Sequence, residues 1–328
     1  MRALAPAGVR RCAIFCVVTE THPDRVCALV VAYRPDMDAL RCCVEAARAQ
    51  CAAVLIVANA CIEGEADALR AAMSDAVVQA HAANLGLAAA QNTGIAWARA
   101  QRFTHVLLLD QDSVPTPGMV AVLLETLAAQ RAGNPPIAAV GPAFTDERDA
   151  QAAPFVRIGF PFNHKLYCVD GEGCYRADFL IGSGMLIPLS VLDAVGEMDA
   201  SLFVDNVDLE WCFRARAKGY RLLGVCAACL QHRLGDARRH LRGLPRGIVV
   251  HGPLRLYYMM RNRVRLYGMA HVPRVWVAQD LLRLPVKFLL FALLIAPRRR
   301  NAYSMLRGLW DGLRRRSGEA PAAVRARA

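Results

Sequence analysis

Two aspartates follow an apolar run in the segment from His105 to Ser113, and their spacing suits metal chemistry. The run has the composition of a buried strand, and Asp110 and Asp112 come directly after it. Carboxylate oxygens at the end of a strand can hold Mn²⁺ or Mg²⁺ against the phosphates of a nucleotide diphosphate. We therefore take this pair as the candidate centre of a functional site.

The same pair has two other interpretations. Asp is common in turns, so both residues could cap the turn near Pro115. A strand followed by Asp-x-Asp also introduces the haloacid dehalogenase motif, in which Asp110 would be a phosphatase nucleophile. That motif normally ends the first strand of its domain, whereas about three strand-helix units precede Asp110. The position favours the nucleotide-diphosphate interpretation.

A second acidic group lies in the segment 202–214. A helix beginning near Val207 places Asp208 in its first turn, where the helix dipole favours an ionised carboxylate that could accept a proton from a hydroxyl. The alternative is a capping role for Asp208 beside an ion pair between Glu210 and Arg214, which are spaced i, i+4. Together with the upstream aspartates, the pattern favours catalysis.

The elements that must position these residues alternate between short apolar runs and helical stretches, which predicts an α/β fold with a mostly parallel sheet. A loop-rich region follows Pro142, and Gly182-Ser183-Gly184 marks a point where backbone could approach a ligand closely. We expect strands at 28–33, 54–58, 76–79, 105–109, 137–140 and 221–226, and helices at 36–49, 86–99, 117–131 and 207–218, with Asn84 as a candidate helix cap.

The charge of the chain points to an anionic partner. Forty Lys and Arg residues against 28 Asp and Glu give a net charge of +12, and much of the excess lies in two triplets at 298–300 and 314–316. These triplets are not interleaved with aromatic residues, so we expect an anionic membrane surface and no nucleic acid. The apolar run 281–296 is too short for the ~20 residues that span a bilayer, and it predicts a helix lying in the interface. A buried helix is the alternative.

Twelve cysteines are scattered through apolar segments without a disulfide framework, so we expect reduced, buried thiols, including Cys226 and Cys229. Residues 1–25 offer no small-residue cleavage site after their short apolar run, which indicates a flexible extension and a cytoplasmic location.

At this point the chain resembles the bacterial family-2 glycosyltransferases, specifically their rhamnosyltransferase branch. The resemblance covers about residues 28–317. It rests on the order and spacing of several segments, namely 30–35, 84–92, 110–113, 182–184, 203–214, 232–235 and 257–262.

The resemblance implies a glycosyltransferase A fold and inverting transfer from a nucleotide sugar, with dTDP-L-rhamnose as the favoured donor. It implies a divalent cation, Mn or Mg, held by Asp110, Asp112 and His232, and Asp208 as the catalytic base. The donor-binding residues would be Tyr33, Arg34, Asn59, Asn84, Gly86, Asn92, Asp110 and Gln111. The acceptor or phosphate contacts would be Gly182, Ser183, Gly184, Glu210, Arg261 and Asn262.

One position departs from the family pattern. Relatives usually carry an acidic residue after the second strand, where it helps to hold the base or ribose of the donor, and this chain has Ala58 there. Two alternatives to a rhamnosyltransferase therefore remain. The protein could use another donor such as a UDP-hexose, or it could bind a nucleotide sugar without turnover.

The expected organisation has four parts: an extension at 1–25, a catalytic domain at 26–253, a helical, basic, membrane-associating region at 254–318, and a disordered tail at 319–328. The expected acceptor is a lipid-linked or polysaccharide glycan of the cell surface, used on the cytosolic face of the inner membrane.

Overall fold

The computed structural model of the chain describes residues 24–130, 133–145, 153–231, 237–239 and 248–327. The strands in these ranges are β1 Val26–Ala32, β2 Ala53–Asn59, β3 Val77–His81, β4 His105–Asp110, β5 Val114–Pro115, β6 Ile137–Thr145, β7 Phe155–Arg157, β8 His164–Leu166, β9 Cys174–Ala177, β10 Leu186–Pro188, β11 Arg221–Gln231, β12 Ala237–Arg239 and β13 Ile248–Val250. The helices are α1 Met37–Arg48, α2 Glu63–Ala72, α3 Leu87–Ala100, α4 Met119–Ala129, α5 Leu189–Val195, α6 Val207–Ala217, α7 Pro253–Tyr267, α8 Arg274–Leu289, α9 Arg298–Leu313 and α10 Ala322–Arg325. A π-helical segment, Leu290–Leu294, extends α8.

A mostly parallel sheet lies at the centre of the fold, with the strand order β3-β2-β1-β4-β10-β6-β11-β5 and with β9 also paired to β11. The first four strands in this order are mutually parallel, and β10 runs antiparallel between β4 and β6. The chain moves outward from β1 to β3 and then returns to place β4 on the other side of β1. Ligands of open α/β sheets bind at the carboxyl ends of strands where the order reverses in this way.

Helices cover both faces of the sheet. Successive residues of a strand point to opposite faces, so Leu29 of β1 packs with Ile95 of α3 and Trp211 of α6, whereas Val30 packs with Leu40 of α1 on the other face. Strands that are buried on both faces have nearly continuous apolar sequences. The predicted α/β fold is confirmed. The apolar sequence segments from which it was predicted form the central strands of the sheet.

The sequence placed the first strands and helices to within about two residues, but it missed shorter elements. The predicted loop region after Pro142 contains the hairpin of β7 and β8 and the strand β9, which pairs with β11. Asn84 is not the cap of α3, because that helix begins after Gly86. The strands β7, β8 and β9 form through pairing with other strands, which a local sequence pattern does not show.

The expectation that all cysteines are reduced is wrong for one pair. Cys168 and Cys226 form a disulfide with a Cα–Cα distance of 5.5 Å. Pairing of β9 with β11 brings the segment before β9 to Cys226, whose N–H donates to the carbonyl of Gly173 at 3.0 Å. The partner of Cys226 is therefore 58 residues away in sequence, and the nearby Cys229 remains a thiol.

The C-terminal helices pack against the rest of the protein. α7 and α9 lie side by side, and Gly308 of α9 sits so close to Tyr257 of α7 that a Cβ there would meet the Tyr257 carbonyl at 2.3 Å. The predicted disorder after residue 318 is wrong, since Ala320 and Val324 are buried against Tyr258 and Phe203. Residues 254–327 are therefore continuous with the core that contains the candidate site. In the described ranges we find no helix with the length and apolar character needed to cross a membrane.

Candidate functional site

The carboxyl ends of β1 and β4 meet at the point where the strand order reverses. The Tyr33 N–H donates to Gln111 Oε1 at 2.8 Å, and Val31 is paired in register with Asp110. Arg34 has a left-handed backbone with φ +47° and places its guanidinium 5.3 Å from the centre of the Tyr33 ring. Both Tyr33 and Arg34 are exposed. The structure brings these four predicted donor-side residues together.

A pair of asparagines shapes the loop beside them, at the end of β2. Asn59 Nδ2 donates to Asn84 Oδ1 at 2.9 Å, and Asn59 Oδ1 accepts the N–H of Leu85 at 2.9 Å. Gly86 has φ +83°, and a Cβ there would lie 2.6 Å from the carbonyl oxygen of Phe203. Only glycine fits this close approach. Since Asn59 is buried and both amides are used within the loop, they fix the shape of this loop beside the end of β1.

The two aspartates that follow β4 are held by buried serines. The Asp110 N–H donates to Ser183 Oγ at 3.0 Å, and the Ser183 hydroxyl donates to Ser113 Oγ at 2.7 Å. Burial, together with the charges of Asp110 and Asp112, raises the pKa of the Cys43 thiol to about 12. Both aspartates are therefore near this thiol, whose Sγ lies 3.5 Å from the Asp110 carbonyl oxygen.

A divalent cation fits these residues. Mg²⁺ usually binds through one or two carboxylates together with substrate phosphates, without a full set of protein ligands. The described ranges contain no group of three or more His, Cys, Asp or Glu side chains that could hold a metal by themselves. His232, the third predicted ligand, lies outside the described residues. Asp110 and Asp112 provide the two carboxylates that such a shared site requires.

Asp208 lies at the start of α6, as predicted, and faces the end of β4. Its Oδ2 accepts the N–H of Gly182 at 3.0 Å, and its Oδ1 accepts the N–H of Leu209 at 2.8 Å. Burial raises the pKa of the Asp208 carboxyl and the charge of Asp110 adds to this, whereas the two N–H groups oppose it. A carboxylate whose proton affinity is increased in this way is suited to general-base chemistry.

One tight turn connects the two carboxylate groups. Gly182 contacts Asp208, and the next residue, Ser183, contacts the backbone of Asp110. Gly184 has φ +77° and a Cβ there would lie 2.6 Å from Pro142, so this position also requires glycine. The sequence predicted 182–184 as acceptor or phosphate contacts. The structure instead uses Ser183, which is buried, and Gly184 to set the distance between the two aspartates.

The loop before α6 has an unusual backbone. Phe203, Asp205 and Asn206 all have positive φ, between +58° and +68°. Asn262 Nδ2 donates to the carbonyls of Leu202, Val204 and Asp205 at 2.7–2.9 Å. These bonds come from α7 and hold the strained segment that leads into Asp208.

Arg261 supports the same loop. Its Nη2 donates to the Leu202 carbonyl at 2.7 Å and its Nη1 to the Gly318 carbonyl. Because Arg261 and Asn262 are fully buried and bonded to backbone, the prediction that they contact the acceptor is wrong. No local pattern in the sequence distinguishes this pair, because α7 also carries Arg255, Arg263 and Arg265. Buried polar groups need partners, and the backbone carbonyls provide them here.

Two more predicted site residues have structural roles. Glu210 is buried, pairs with Arg214 through both oxygens at 2.8 and 2.9 Å, and lies 2.9 Å from His271. Asn92 exchanges two hydrogen bonds with the backbone of Met198, each 2.9 Å long. Both side chains are used in contacts within the protein, and these contacts hold α6 and the segment that precedes it.

The fold and this arrangement define a class: an enzyme of the glycosyltransferase A type, with an acidic motif at the end of a central strand and a carboxylate facing it. The chain belongs to the glycosyltransferase-like family 2, whose model matches residues 22–240. It is therefore a glycosyltransferase, and the phosphatase interpretation of Asp110 does not apply.

Sequence relatives narrow the comparison. The chain is 28% identical over 251 residues to the dTDP-rhamnosyl transferase RfbF of Shigella flexneri, covering 76% of this chain and 82% of that protein. It is 30% identical over 158 residues to Rv1525 of Mycobacterium tuberculosis, covering 45% and 54% of the two chains.

Solved structures agree with the fold. TarS of S. aureus in complex with UDP-GlcNAc has a TM-score of 0.55 at 13% identity, covering 93% of this chain and 84% of TarS. GalNAc-T7 with UDP, GalNAc and Mn²⁺ has a TM-score of 0.57 at 12% identity, and the match covers 90% of this chain and 57% of GalNAc-T7.

Proposed function

We propose that this protein transfers L-rhamnose from dTDP-L-rhamnose to a lipid-linked or polysaccharide acceptor, with inversion, in cell-surface glycan synthesis of the O-antigen type. The observation that carries the reaction type is the proximity of Asp110 and Asp208, since adjacent residues of one turn contact the Asp110 backbone and the Asp208 carboxylate. The similarity to the Shigella enzyme over most of both chains supports the choice of donor.

The proposed mechanism divides the work between the two aspartate groups. Asp110 and Asp112 would hold Mn²⁺ or Mg²⁺, which when bound neutralises charge on the departing diphosphate. Asp208 takes the proton from the acceptor hydroxyl, because its pKa is raised and the N–H groups of Gly182 and Leu209 keep its carboxylate oriented. An attack from the side of Asp208, opposite the diphosphate, inverts the sugar.

The donor pocket differs from the family at one buried position. Ala58 is only 3% exposed near the end of β2, at the position where the resemblance to the family implies an acidic residue. A methyl group cannot accept a hydrogen bond from a ribose or a base. We therefore expect weak discrimination between nucleotides, with the selectivity depending on the sugar.

A donor panel tests the proposal. Purified protein is incubated with Mn²⁺ and dTDP-L-rhamnose, dTDP-glucose, UDP-glucose, UDP-GlcNAc or GDP-mannose, and nucleotide release is measured with and without a glycan acceptor. We expect the fastest release from dTDP-L-rhamnose. Preference for a UDP-hexose would replace the donor, and binding without release from any donor would identify a nucleotide-sugar-binding protein.

The C-terminal helices support a position at the cytosolic face of the inner membrane. Exposed apolar side chains on α8, its π-helical extension and α9 are Leu281, Leu282, Val286, Leu289, Leu293, Leu294, Leu306, Trp310 and Leu313. The arginine triplets at 298–300 and 314–316 flank them. Apolar side chains beside clustered arginines suit an interface rich in anionic lipid.

Truncation would be a poor test of membrane binding, because it would remove Asp311 and Gly318, which contact α7. Flotation with vesicles containing phosphatidylglycerol is better suited. We expect the double substitution Leu282→Glu and Val286→Glu to abolish flotation. The matched control Ile62→Glu, at an exposed position of α2's N-terminus, should leave it intact. Unchanged flotation of the double variant would contradict the membrane proposal.

A further inference from the structure

The groove between α7 and α8 contains a lysine that the transfer site does not use. The chain has three lysines among its 40 basic residues, namely Lys165, Lys218 and Lys287. Lys287 lies on the side of α8 that faces α7, and its Nζ is 3.8 Å from Met259 Sδ. A thioether is a weak acceptor. No stronger hydrogen-bond partner of this ammonium group is present in the described part of the chain.

The carboxylates around Lys287 are occupied by arginines. Arg255 Nε donates to Asp205 Oδ1 at 3.1 Å, and Arg263 forms an ion pair with Asp280, which also accepts the Tyr267 hydroxyl at 2.5 Å. Among the described residues, these three cations therefore outnumber the two carboxylates, so this part of the groove carries a net positive charge. Asp205 Oδ2 and Arg263 Nε are buried without a hydrogen-bond partner among the described residues.

This surplus of positive charge has a measurable consequence for Lys287. Burial lowers its pKa to about 7, and the charges of Arg263 and Arg255 lower it as well, against the opposing effect of Asp205 and Asp280. The structure thus contains a partly buried cation that an additional anion would stabilise.

The groove is linked to the proposed base through Asp205, which pairs with Arg255. Asp205 is three residues before Asp208, and each carboxyl is close enough for the charge of Asp208 to raise the pKa of Asp205. On the outer side of α8, Val286 and Leu289 are exposed beside Lys287. A molecule that placed a hydroxyl at Asp208 and an apolar chain along α8 would bring its middle portion to this groove.

We propose that the groove formed by Arg255, Arg263 and Lys287 binds the phosphate that joins the acceptor glycan to its lipid. Lysine binds phosphate as a compact point charge, and the phosphate oxygens would accept the hydrogen bonds that the Lys287 ammonium lacks. This inference rests on the proposed transferase function and adds to it a binding site for one chemical group of the acceptor.

The first experiment does not depend on transfer. Acetylation of each lysine by acetic anhydride is followed by peptide mass spectrometry from pH 6 to 9, with and without millimolar inorganic pyrophosphate, in the full chain. Lys287 should already react near pH 7, because its pKa is lowered to about 7 and part of it is then unprotonated. We expect pyrophosphate to protect Lys287 about tenfold and to leave the exposed Lys165 unchanged. Equal protection of both lysines, or of neither, would overturn the subsite.

The second experiment uses two acceptors that differ only in the presence of the lipid-side diphosphate. Lys287→Gln should raise KM for the phosphate-bearing acceptor by about 10-fold or more, the loss of a charged hydrogen bond. It should leave the KM of the phosphate-free acceptor and of the donor unchanged. Lys165→Gln is the charge-matched control, and Lys287→Arg should restore binding, including at pH 8–9 where the lysine has lost its charge.

The remaining outcomes separate the sources of phosphate. An equal effect of Lys287→Gln on both acceptors would overturn the proposal and indicate a structural role. Loss of vesicle binding alone would also overturn it and assign the groove to lipid head groups. Protection of Lys287 by pyrophosphate in a protein that shows no transfer from any donor would refute the proposed function while supporting the anion site.

Discussion

The donor side and the base side of the site are built in different ways. The donor side comes from the ends of β1, β2 and β4, which are neighbours in the sheet and lie within residues 26–112. The base side is the loop before α6, and its shape depends on bonds from Asn262 and Arg261, almost 60 residues further along the chain. The sheet positions the proposed metal ligands, whereas a distant helix positions the proposed base.

The two sides also differ in backbone strain. The donor side has isolated residues with positive φ, Arg34 and Ala60, whereas the base side has three such residues within the four positions 203–206. Each non-glycine residue of this kind costs roughly 1–3 kcal/mol unless the surroundings hold it. The backbone of the donor side therefore follows from local sequence patterns. The backbone of the base side depends on contacts with the folded C-terminal region.

Replacing the proposed base should have the largest effect, and it should affect the base side without the donor side. Asp208→Asn keeps the size of the side chain and removes its ability to accept a proton, so we expect kcat to fall by about 10²–10⁴-fold. The dissociation constant of the donor, measured by calorimetry with Mn²⁺, should stay the same because the donor side is intact. Full activity of this variant would exclude Asp208 as the base.

Replacing a metal ligand should produce the complementary result. We expect Asp110→Asn to weaken Mn²⁺-dependent donor binding by at least about 10–100-fold, because the loss of a residue that merely supports a metal ligand already has an effect of this size. EDTA should have a similar effect on the wild-type protein. Asp67→Asn, at an exposed position of α2, is the matched control. Unchanged affinity in the variant, or no effect of EDTA, would show that the pair does not hold a cation.

Asn262 tests whether α7 positions the base. Asn262→Ala removes the amide that donates to the Val204 and Asp205 carbonyls, whereas the Leu202 carbonyl keeps its bond from Arg261. We expect a loss of about 1–3 kcal/mol in the free energy of unfolding and a fall in kcat of roughly tenfold. The donor KM should not change. The control is Asn92→Ala, which removes two hydrogen bonds to the backbone of Met198, further from Asp208 in the segment that precedes α6. An equal fall in kcat in both variants would mean that Asn262 contributes only to stability.

The smallest expected effect concerns pH and stability. The pKa of Asp208 is raised in the folded state, so its ionisation there costs free energy. That cost appears as pH rises through the unfolded pKa and is complete above the folded one. We expect Asp208→Asn to raise the melting temperature at pH 7, with no gain below about pH 3.9. A lower melting temperature at pH 7 would contradict the assigned shift.

The same shift sets the acid limb of activity. Protonated Asp208 cannot accept a proton from the acceptor, so activity is lost as pH falls through its folded pKa. We expect the acid limb of kcat/KM to lie above the ordinary aspartate value of about 3.9. A limb at or below that value would show that Asp208 titrates normally.

The parts of the site that the sequence revealed are those with local patterns. The apolar run ending in Asp110 and Asp112 and the helix start at Asp208 follow from strand and helix rules applied to single segments. The roles of Arg261, Asn262, Glu210 and Asn92 could not be obtained in this way, because each depends on which backbone group is opposite in the folded chain. The resemblance supplied the order of these segments, and the structure shows that these four side chains bond to groups of the protein itself.

The cysteines illustrate the same limit. Cys226 and Cys229 are close in sequence, yet Cys226 bonds to Cys168 because β9 pairs with β11. Strand pairing over long sequence separations is decided by the packing of the whole sheet. Spacing alone could not identify this partner.

The central claim is that the acceptor attacks from the side of Asp208 while the diphosphate leaves on the side of Asp110. The configuration of the product tests this directly. NMR of the glycoside formed from the preferred donor, recorded before any anomerisation, should show the anomeric configuration opposite to that of the donor. A product with the retained configuration would contradict a single displacement assisted by Asp208.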